Sequence, residues 1–369
     1  MSNPTVLNQA LAQCIGKRLT FAAFRSPGQH VQLWAQRDPR LETVDATALL
    51  GLNQVFLAAP FTLDRERIPF IRADIELMFP EIDPDISRLQ ECRGSAPVEN
   101  AVDGDTGLEQ FTAAVEEARK ACASGALRKV VLSRVINADI PVDLWPGLFE
   151  WAEQQHPQAF VAIAFTPEHG LWMGASPECL VQENLDHVRV DALAATRPGG
   201  AVPRKISEWG AKELDEQEQV MCHVHATFAR MDLANITARG PQVLQAGPVA
   251  HLHTVLEADL ADTMLGELVL AVHPTPAVCG VPVQDAQRFI AAHERHRRGL
   301  YAGFWGTWNA DGPTELHVNL RCMRHLGGQT QLLTGAGITA ASDPAMEWVE
   351  TERKAQTWLQ APALNAVAG

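Results

Sequence analysis

The chain has 369 residues, of which 46% are hydrophobic and 20% are charged, a composition typical of a globular protein with a large core. Its formal net charge of −14 argues against a general nucleic-acid binder and against attachment to an anionic membrane surface, although the stretch HERHRRG is locally basic. No apolar stretch is long enough to cross a bilayer, and the N-terminal stretch lacks the apolar segment of a secretory signal. We therefore expect a soluble, cytoplasmic protein without a nucleic-acid or membrane partner.

Seven cysteines are scattered along the chain, an odd number without any CxxC pair. This pattern favours reduced thiols in a cytoplasm over a framework of disulfides. Cys222, His223 and His225 lie close together in the stretch MCHVH and could suggest zinc. Because this stretch belongs to an amphipathic helical run and no second pair of ligands follows at zinc spacing, the pattern does not favour a zinc site.

About the first 90 residues alternate short apolar runs with turn residues, which predicts strands at RLTFAAF, HVQLWAQ and NQVFLAAPF. Residues 95–107 are rich in small and polar residues and are predicted to form a connecting loop. An amphipathic helix is predicted from residue 108 until Gly125 stops it. The apolar runs KVVLSRVI, FVAIAF and LWMG then predict further strands.

Residues 205–235 are polar-rich and predict a long helix, and the later stretch ELHVNLRCMRHLGGQTQLLTGAGI predicts two strands around a Gly-Gly turn. Helices and strands alternate only loosely, several strands look like hairpins, and no GxGxxG fingerprint follows a strand. The chain is therefore predicted to be an α/β protein of the mixed or antiparallel α+β kind, not a Rossmann type.

Two predicted helices each carry a pair of glutamates three positions apart: Glu213 and Glu216 in KELDEQEQ, and Glu347 and Glu350 in ASDPAMEWVETERK. This spacing puts both carboxylates of a pair on one helix face, where like charges repel. One interpretation is an ordinary solvated helix, since acidic residues near a helix N-terminus suit its dipole. The other is that the two helices meet and their carboxylates hold a divalent cation such as Mg²⁺, which prefers oxygen ligands. The spacing alone does not decide between these interpretations.

Six segments resemble, in the same order, motifs of the chorismate-utilising enzymes, the family of isochorismate, salicylate, anthranilate and aminodeoxychorismate synthases. They are KVVLSR (129–134), GASPE (174–178), KELDEQ (212–217), HPTPAVCGVP (273–282), RGLYAG (298–303) and TGAGITAASDPAMEWVETERK (334–354). Each motif alone is weak, but six in order are a strong signal. Within the family, HPTPA is most similar to the isochorismate synthases.

The resemblance implies a single chorismate-binding domain in which two large antiparallel β-sheets pack as a sandwich with helices outside. Residues 108–358 would form the catalytic core, and residues 1–94 would contribute strands and helices to the same domain. The resemblance also implies that Glu216 and Glu350 coordinate Mg²⁺, with Glu213 and Glu347 supporting it through bound water. The stretch NQVFLAAPFTLD looks more like the siderophore-branch isochorismate synthases than the menaquinone-branch enzymes.

The activity implied by the resemblance is the addition of water at C2 of chorismate with loss of the C4 hydroxyl. Lys129 matches the family's base, and a lysine can act as a base only when its amine is partly neutral. Glu178 matches the acid, since a carboxyl against apolar neighbours can keep its proton near neutral pH. The residues alone favour the alternatives, a strand-end lysine that reaches solvent for Lys129 and an exposed turn residue for Glu178.

The resemblance further implies a set of residues around the substrate. Arg321 would grip the enolpyruvyl carboxylate with its planar fork, and the backbone N–H of Gly335 would assist. The remaining matches are Tyr301, Ala277, Thr196 and His251. The alternatives are a core aromatic for Tyr301 and a purely structural histidine for His251.

Two positions depart from the family pattern. Ala195 stands where the family commonly has a glycine, and alanine costs about 1 kcal/mol if that position needs a positive φ. Gln217 stands where a histidine usually follows the first metal helix, and an amide can hydrogen-bond but cannot titrate. Both departures bear on the placement of the substrate more than on the class of reaction.

Three functions remain in competition. Isochorismate synthase is favoured because Lys129 supplies a base that the ammonia-using anthranilate and aminodeoxychorismate synthases lack. The alternatives are a salicylate synthase, which goes on to eliminate pyruvate, and a non-catalytic chorismate-binding paralogue. We expect chorismate as the small-molecule partner, Mg²⁺ as the cofactor, no glutamine amidotransferase subunit, and a monomer.

Overall fold

A computed structural model of the chain describes residues 4–80, 84–96, 102–198, 203, 205–246, 249–260 and 264–362, without the side chains at 196, 198 and 246. Part of the connecting loop predicted for residues 95–107 and the side chain of Thr196 therefore lie outside the described residues. None of the helices in these ranges is long and apolar enough to cross a membrane. All seven cysteines carry free thiols, as their scatter predicted.

Helices and strands are numbered here in chain order. The helices are α1 (Val6–Lys17), α2 (Leu108–Ala123), α3 (Trp145–Gln155), α4 (Ala211–Arg230), α5 (Leu265–Val272), α6 (Val283–His293) and α7 (Pro344–Leu359). The first nine strands are β1 (Phe21–Arg25), β2 (Val31–Ala35), β3 (Glu42–Val44), β4 (Val55–Ala59), β5 (Ile68–Arg72), β6 (Ile75–Phe79), β7 (Lys129–Ala138), β8 (Phe160–Thr166) and β9 (Gly170–Ser176). The others are β10 (Cys179–Asn184), β11 (His187–Pro198), β12 (Ala234–Ala246), β13 (Val249–Asp259), β14 (Gly280–Val281), β15 (Phe304–Trp308), β16 (Thr314–Val318), β17 (Cys322–Leu326) and β18 (Gln329–Ile338).

The strands form two nine-stranded sheets. The first sheet has the order β14-β7-β18-β17-β9-β8-β1-β2-β6, and the second has the order β12-β13-β11-β10-β16-β15-β4-β5-β3. Strand β1 pairs antiparallel with β8, and β4 pairs antiparallel with β15, so strands from the first 80 residues complete both sheets. The predicted fold, two large antiparallel sheets with helices, is confirmed.

The main hydrophobic core lies between the two sheets. Phe24 of the first sheet and Phe56 of the second pack with ring centroids 5.3 Å apart, and Trp305 packs 6.3 Å from Phe56. Alternate residues of the same strands face the other way: Ala22 lies in this core, whereas Ala23 belongs to a second core formed with α1 and α3. The period of two in a strand thus lets one sheet bury both of its faces.

One predicted strand is wrong. The run ELHVNLRCMRHL was expected to form a single strand, but β16 ends at Val318 in the second sheet and β17 begins at Cys322 in the first. Between them Arg321 adopts a φ of 46°, a left-handed conformation that is uncommon outside glycine. The chain crosses from one sheet to the other at this point. The apolar alternation continues through the crossing, so the sequence carried no sign of it.

The two helices with paired glutamates meet at the junction of the sheets. Helix α4 packs on β11 and β13 of the second sheet, and α7 packs on β18 of the first. Helix α7 begins as predicted, because the Asp343 carboxylate accepts hydrogen bonds from the N–H groups of Ala345 and Met346 at 2.9 and 3.0 Å. The N-terminal halves of both helices therefore bring their acidic residues to one place.

Candidate active site

A cavity of about 210 Å³ lies where the two sheets and helices α4 and α7 meet. Most of the predicted site residues line it: Lys129, Glu178, Glu213, Glu216, His251, Ala277, Tyr301, Arg321, Gly335 and Glu350. Glu347 lies just behind this lining and is connected to it through Lys212. Residues from six distant motifs are thus brought together around one space.

Lys129 begins β7 and points into the cavity with only 3% of its side chain exposed. Its Nζ lies 3.9 Å from Oε2 of Glu216. A Cβ atom at Gly337 on the neighbouring strand would lie 2.8 Å from Cε of Lys129, so glycine makes room for this side chain. The alternative of a strand-end lysine that reaches solvent is wrong.

Glu178 follows β9 and is also buried, with 2% exposure. Burial raises the pKa of its carboxyl to about 8, and repulsion from the Asp191 carboxylate adds to the effect, whereas a hydrogen bond from Thr275 and the charge of Lys129 oppose it. The Thr275 hydroxyl, from the HPTPA motif, donates to Oε1 at 3.4 Å. Glu178 therefore keeps its proton at neutral pH, and the exposed-turn alternative is wrong.

Asp191 on β11 is a neighbour of Glu178 that the sequence did not reveal. Its Oδ1 lies 3.0 Å from both Nη2 of Arg189 and Nε2 of His253. Its Oδ2 accepts a 3.3 Å hydrogen bond from the N–H of Cys179, the residue after Glu178. Burial opposes ionisation of Asp191, but these contacts with His253 and Arg189 outweigh it and lower its pKa. An ionised Asp191 beside Glu178 favours the protonated form of Glu178.

The four glutamates of the two helices form what we call the acidic cluster: Glu213, Glu216, Glu347 and Glu350. Glu216 lies at its centre, and burial raises the pKa of its carboxyl. Attraction by Lys129 and Lys212 opposes this effect, and weaker repulsion from Glu350 and Glu347 adds to it. The ammonium groups of Lys129 and Lys212 stand 3.9 and 3.8 Å from its oxygens, outside hydrogen-bond distance. The charge of Glu216 is therefore only partly compensated.

The other members of the acidic cluster each have a cationic partner. Nζ of Lys212 lies 3.2 Å from Oε1 of Glu347. Nζ of Lys354 lies 2.8 Å from Oε1 of Glu350 and donates at 2.7 Å to the carbonyl of Gly335.

Glu213 faces a different partner. Its carboxylate accepts two bonds from the fork of Arg197, one of them 2.8 Å long, and another from the N–H of Gly210. Glu213 is thus already saturated, and the pKa of its carboxyl is lowered chiefly by Arg197.

The acidic cluster can be tested as a metal site. Four carboxylates supply the hard oxygen atoms that Mg²⁺ prefers, and the under-compensated, buried Glu216 is the position that a cation would relieve. As the side chains are placed, no group of three or more His, Cys, Asp or Glu residues in the described ranges is close enough to hold a metal ion. Cys222, His223 and His225, which are within the described ranges, do not form such a group either. The donor set suits a divalent cation in its chemistry, but Lys212 lies between Glu216 and Glu347 and contacts the oxygens that such an ion would use.

Arg321 and His251 form another part of the cavity wall. Nη2 of Arg321 lies 2.9 Å from Nε2 of His251, and Nδ1 of His251 lies 3.1 Å from the carbonyl oxygen of Ala195. Burial and the neighbouring Arg321 lower the pKa of His251 far below its usual value, so the ring is neutral, donates from Nδ1 and accepts at Nε2. Burial lowers the pKa of Arg321 to about 10, which leaves it cationic at neutral pH.

Ala195, the departure from the family glycine, has a φ of 57°. It sits at an irregularity in the pairing of β11 with β13, between Ala194 and Thr196. The left-handed conformation considered for this position is therefore present in an alanine. The side chain of Thr196, a predicted substrate contact, lies outside the described residues.

Gly335 and Tyr301 pack tightly together. A Cβ at Gly335 would lie 2.6 Å from the Tyr301 hydroxyl, so any side chain at 335 would collide with it. Tyr301 is 4% exposed, lines the cavity, and belongs to the main core as well. Gln217, the second departure, turns away from the cavity and donates from Nε2 to Thr254 Oγ1 at 2.6 Å.

Sequence reasoning missed four polar residues at this site: Lys212, Lys354, Thr334 and Asp191. The first three line the cavity, and the Thr334 hydroxyl has no hydrogen-bond partner among the described residues. Lys212 and Lys354 each stand four positions from a cluster glutamate, a helical spacing that could have revealed them. Nothing in the sequence indicated Thr334 or Asp191.

Both the sequence and the fold of this chain are similar to those of known proteins. A family profile described as chorismate binding enzyme matches residues 72–362. The isochorismate synthase DhbC of Bacillus subtilis is 30% identical over 287 residues, which are 73% of this chain and 70% of that one. Anthranilate synthase component 1 of Streptomyces coelicolor is 33% identical over 68% of this chain and 51% of its own. The structure of MenF, the menaquinone-specific isochorismate synthase of Escherichia coli, superposes with a TM-score of 0.77 at 20% identity, covering 97% of this chain and 92% of that one.

Proposed function

Because the chain belongs to the family of chorismate-binding enzymes, we propose that it is an isochorismate synthase that uses Mg²⁺. One observation carries this proposal: a buried lysine and a buried, protonated carboxyl line the same cavity as a buried arginine. The reaction adds water at C2 of chorismate, shifts the ring double bond and releases the C4 hydroxyl. It needs a base, an acid and a cationic clamp for a carboxylate.

Glu178 is the acid. Its raised pKa means that the carboxyl still holds a proton at neutral pH, and it can give that proton to the departing C4 hydroxyl, which leaves as water. Asp191 assists by disfavouring the ionised form of Glu178, and Thr275 orients the carboxyl. Asp191 is a positioning residue here, since it acts through Glu178.

Lys129 is the base. In its neutral form the Lys129 amine takes a proton from the water that attacks C2, so one proton enters the protein at Lys129 and one leaves from Glu178. One water is consumed and one is released, so the reaction is an isomerisation. Because Gly337 has no side chain, there is space beside it for the side chain of Lys129.

Arg321 binds the enolpyruvyl carboxylate of chorismate, with His251 fixing its guanidinium from behind. Tyr301 and Gly335 shape the adjoining wall. Glu216 and Glu350 would hold the Mg²⁺, with Glu213 and Glu347 behind them, and the bound ion would neutralise these carboxylates and hold the ring carboxylate of the substrate.

The choice within the family rests on two features. Lys129 supplies a base for water, which favours isochorismate or salicylate formation over the use of ammonia. The HPTPA motif, which resembles the isochorismate synthases, touches the proposed acid directly through Thr275. We therefore favour isochorismate over salicylate as the final product. The siderophore branch, the monomeric state and the cytoplasmic location stay predictions.

The test is to incubate the purified protein with chorismate, with and without Mg²⁺, and to separate the products by chromatography. Isochorismate that forms only with Mg²⁺ and without pyruvate is the expected result. Salicylate with an equal amount of pyruvate would instead indicate a salicylate synthase. Binding of chorismate without any product would indicate a non-catalytic paralogue.

A further inference from the structure

Lys212 is the one cation that contacts both helices of the acidic cluster in the described structure. It belongs to α4, and its Nζ lies 3.2 Å from Oε1 of Glu347 on α7 and 3.8 Å from Oε1 of Glu216. The ammonium also donates to the Ser342 hydroxyl at 3.4 Å, just before α7. Lys212 thus bridges the carboxylates that the proposed function assigns to Mg²⁺.

The position of Lys212 along its helix is otherwise unfavourable. It is the second residue of α4, where the partial positive charge of the helix dipole repels a cation. For this reason acidic side chains are favoured in the first turn of a helix, and Glu213, the residue after Lys212, is an example. The neighbouring carboxylates, not the helix, therefore stabilise a lysine here, and they also raise its pKa against the effect of burial.

The Lys212 ammonium can move away from Glu216 more easily than that of Lys129. Both ammonium groups face Glu216, but the Lys129 side chain is 3% exposed, whereas that of Lys212 is 40% exposed. A long flexible side chain at the rim of a cavity can turn its ammonium into water without unfolding anything. Lys129 is enclosed by the cavity wall and cannot do so.

We propose that Lys212 is an internal counter-cation of the acidic cluster, which holds Glu216 and Glu347 together and is displaced from them when a divalent cation binds. The ammonium and the ion compete for the same oxygens, so Lys212 weakens the affinity for Mg²⁺ and makes its binding more reversible. The lysine also keeps the carboxylates from repelling one another before the ion arrives. This inference rests on the proposed use of Mg²⁺ at this cluster.

The test compares Mg²⁺ binding, measured by isothermal titration calorimetry, for the wild-type chain, Lys212→Met and Lys212→Gln. Removing the competing charge should lower the Kd for Mg²⁺ about tenfold in both variants. Without Mg²⁺, both should melt at a lower temperature than the wild type, and Mg²⁺ should raise their Tm by more than it raises that of the wild type. Lys120→Met removes an exposed lysine that is paired with Glu117 on α2, and it should leave the Kd unchanged.

An unchanged or weaker affinity in both Lys212 variants would overturn the proposal, because it would show that the lysine does not compete with the ion. Absence of Mg²⁺ binding in the wild type and in the variants would overturn it too, together with the magnesium part of the proposed function. Formation of isochorismate is measured separately on the wild type. Failure of the competition is therefore distinguishable from failure of the proposed reaction.

Discussion

Two glutamates with buried side chains, Glu178 and Glu294, have pKa values that shift in opposite directions. Glu294 accepts bonds from the N–H and hydroxyl of Ser133 at 2.7 and 2.9 Å and from two nitrogens of Arg298 at 2.9 and 2.7 Å. Burial alone would raise its pKa, but Arg298 and these bonds lower it. Glu178 has one long bond from Thr275, and its pKa rises to about 8. The charge of the nearest partner and the number of donors, not the depth of burial, separate the two glutamates.

The two glutamates therefore have different roles. Glu294 holds Arg298, whose guanidinium donates to the carbonyls of Val131 on β7 and Val278 after the HPTPA motif, so this ion pair ties together two parts of the active-site wall. Glu178 has spare hydrogen-bonding capacity and faces the cavity. A saturated carboxylate acts as a structural clamp, whereas an unsaturated one keeps its proton for chemistry.

The size of a cavity does not identify the active site in this molecule. A larger cavity of about 920 Å³ lies beside Glu294 and has several arginines in its wall. Three of them are already paired: Arg298 with Glu294, Arg324 with Asp103, and Arg288 with Asp285. The smaller cavity contains the two buried carboxylates with raised pKa values, Glu178 and Glu216, whereas the one carboxylate with a raised pKa described in the larger cavity, Glu168, is exposed. The chemistry of the lining, more than the volume, identifies the active site.

The largest effect is expected from Glu178→Gln. An amide has nearly the same shape but cannot give a proton, so the turnover of chorismate should fall about 10²–10⁴-fold. The Kd for chorismate, measured by calorimetry, should change little, because Glu178 is not assigned to substrate affinity. A variant that keeps more than half of the wild-type rate would show that the acid lies elsewhere.

Glu294→Ala should act on stability instead. It leaves the Arg298 guanidinium buried without its carboxylate, and breaking such a pair costs about 3–5 kcal/mol of unfolding free energy. Denaturation in urea measures the loss. Glu91→Ala is the matched control, because it removes an exposed carboxylate paired with Arg37 and should cost less than about 1 kcal/mol. Equal losses in the two variants would remove the distinction drawn here.

The pH dependence of stability should separate Glu178 from Glu294 by sign. The folded pKa of Glu178 is raised, so its contribution is full below the unfolded pKa of about 4.3 and is lost as the pH rises toward 8, by up to about 1.4 kcal/mol per pH unit. Relative to the wild type, Glu178→Gln should therefore gain stability between pH 5 and pH 8 in urea titrations. Glu294 has a lowered pKa, so its contribution is lost only as the pH falls into the acidic range. A flat difference for Glu178→Gln would contradict the raised pKa.

The sequence predicted the elements better than their long-range partners. The paired glutamates, Lys129 and Glu178 could be found because helical spacing and family motifs are local patterns. Asp191 could not be found in this way, because the alternation of apolar and polar residues in β11 does not show which residues of other strands lie beside Asp191. The crossing at Arg321 was missed because a left-handed residue other than glycine leaves no mark in an apolar pattern. Lys212 was overlooked although its spacing to Glu216 was visible, because its second partner lies on a different helix.

The smallest effect is expected at Ala195, where two contributions oppose each other. Replacing it by glycine relieves a left-handed alanine, which is worth about 1 kcal/mol. The methyl group, however, belongs to a small buried cluster with Trp209 and Leu252, and losing it costs about 0.8 kcal/mol. Ala195→Gly should therefore change the unfolding free energy by less than about 1 kcal/mol, as measured in urea. This near balance explains how the chain keeps an alanine at a left-handed position, and a change of several kcal/mol in either direction would refute it.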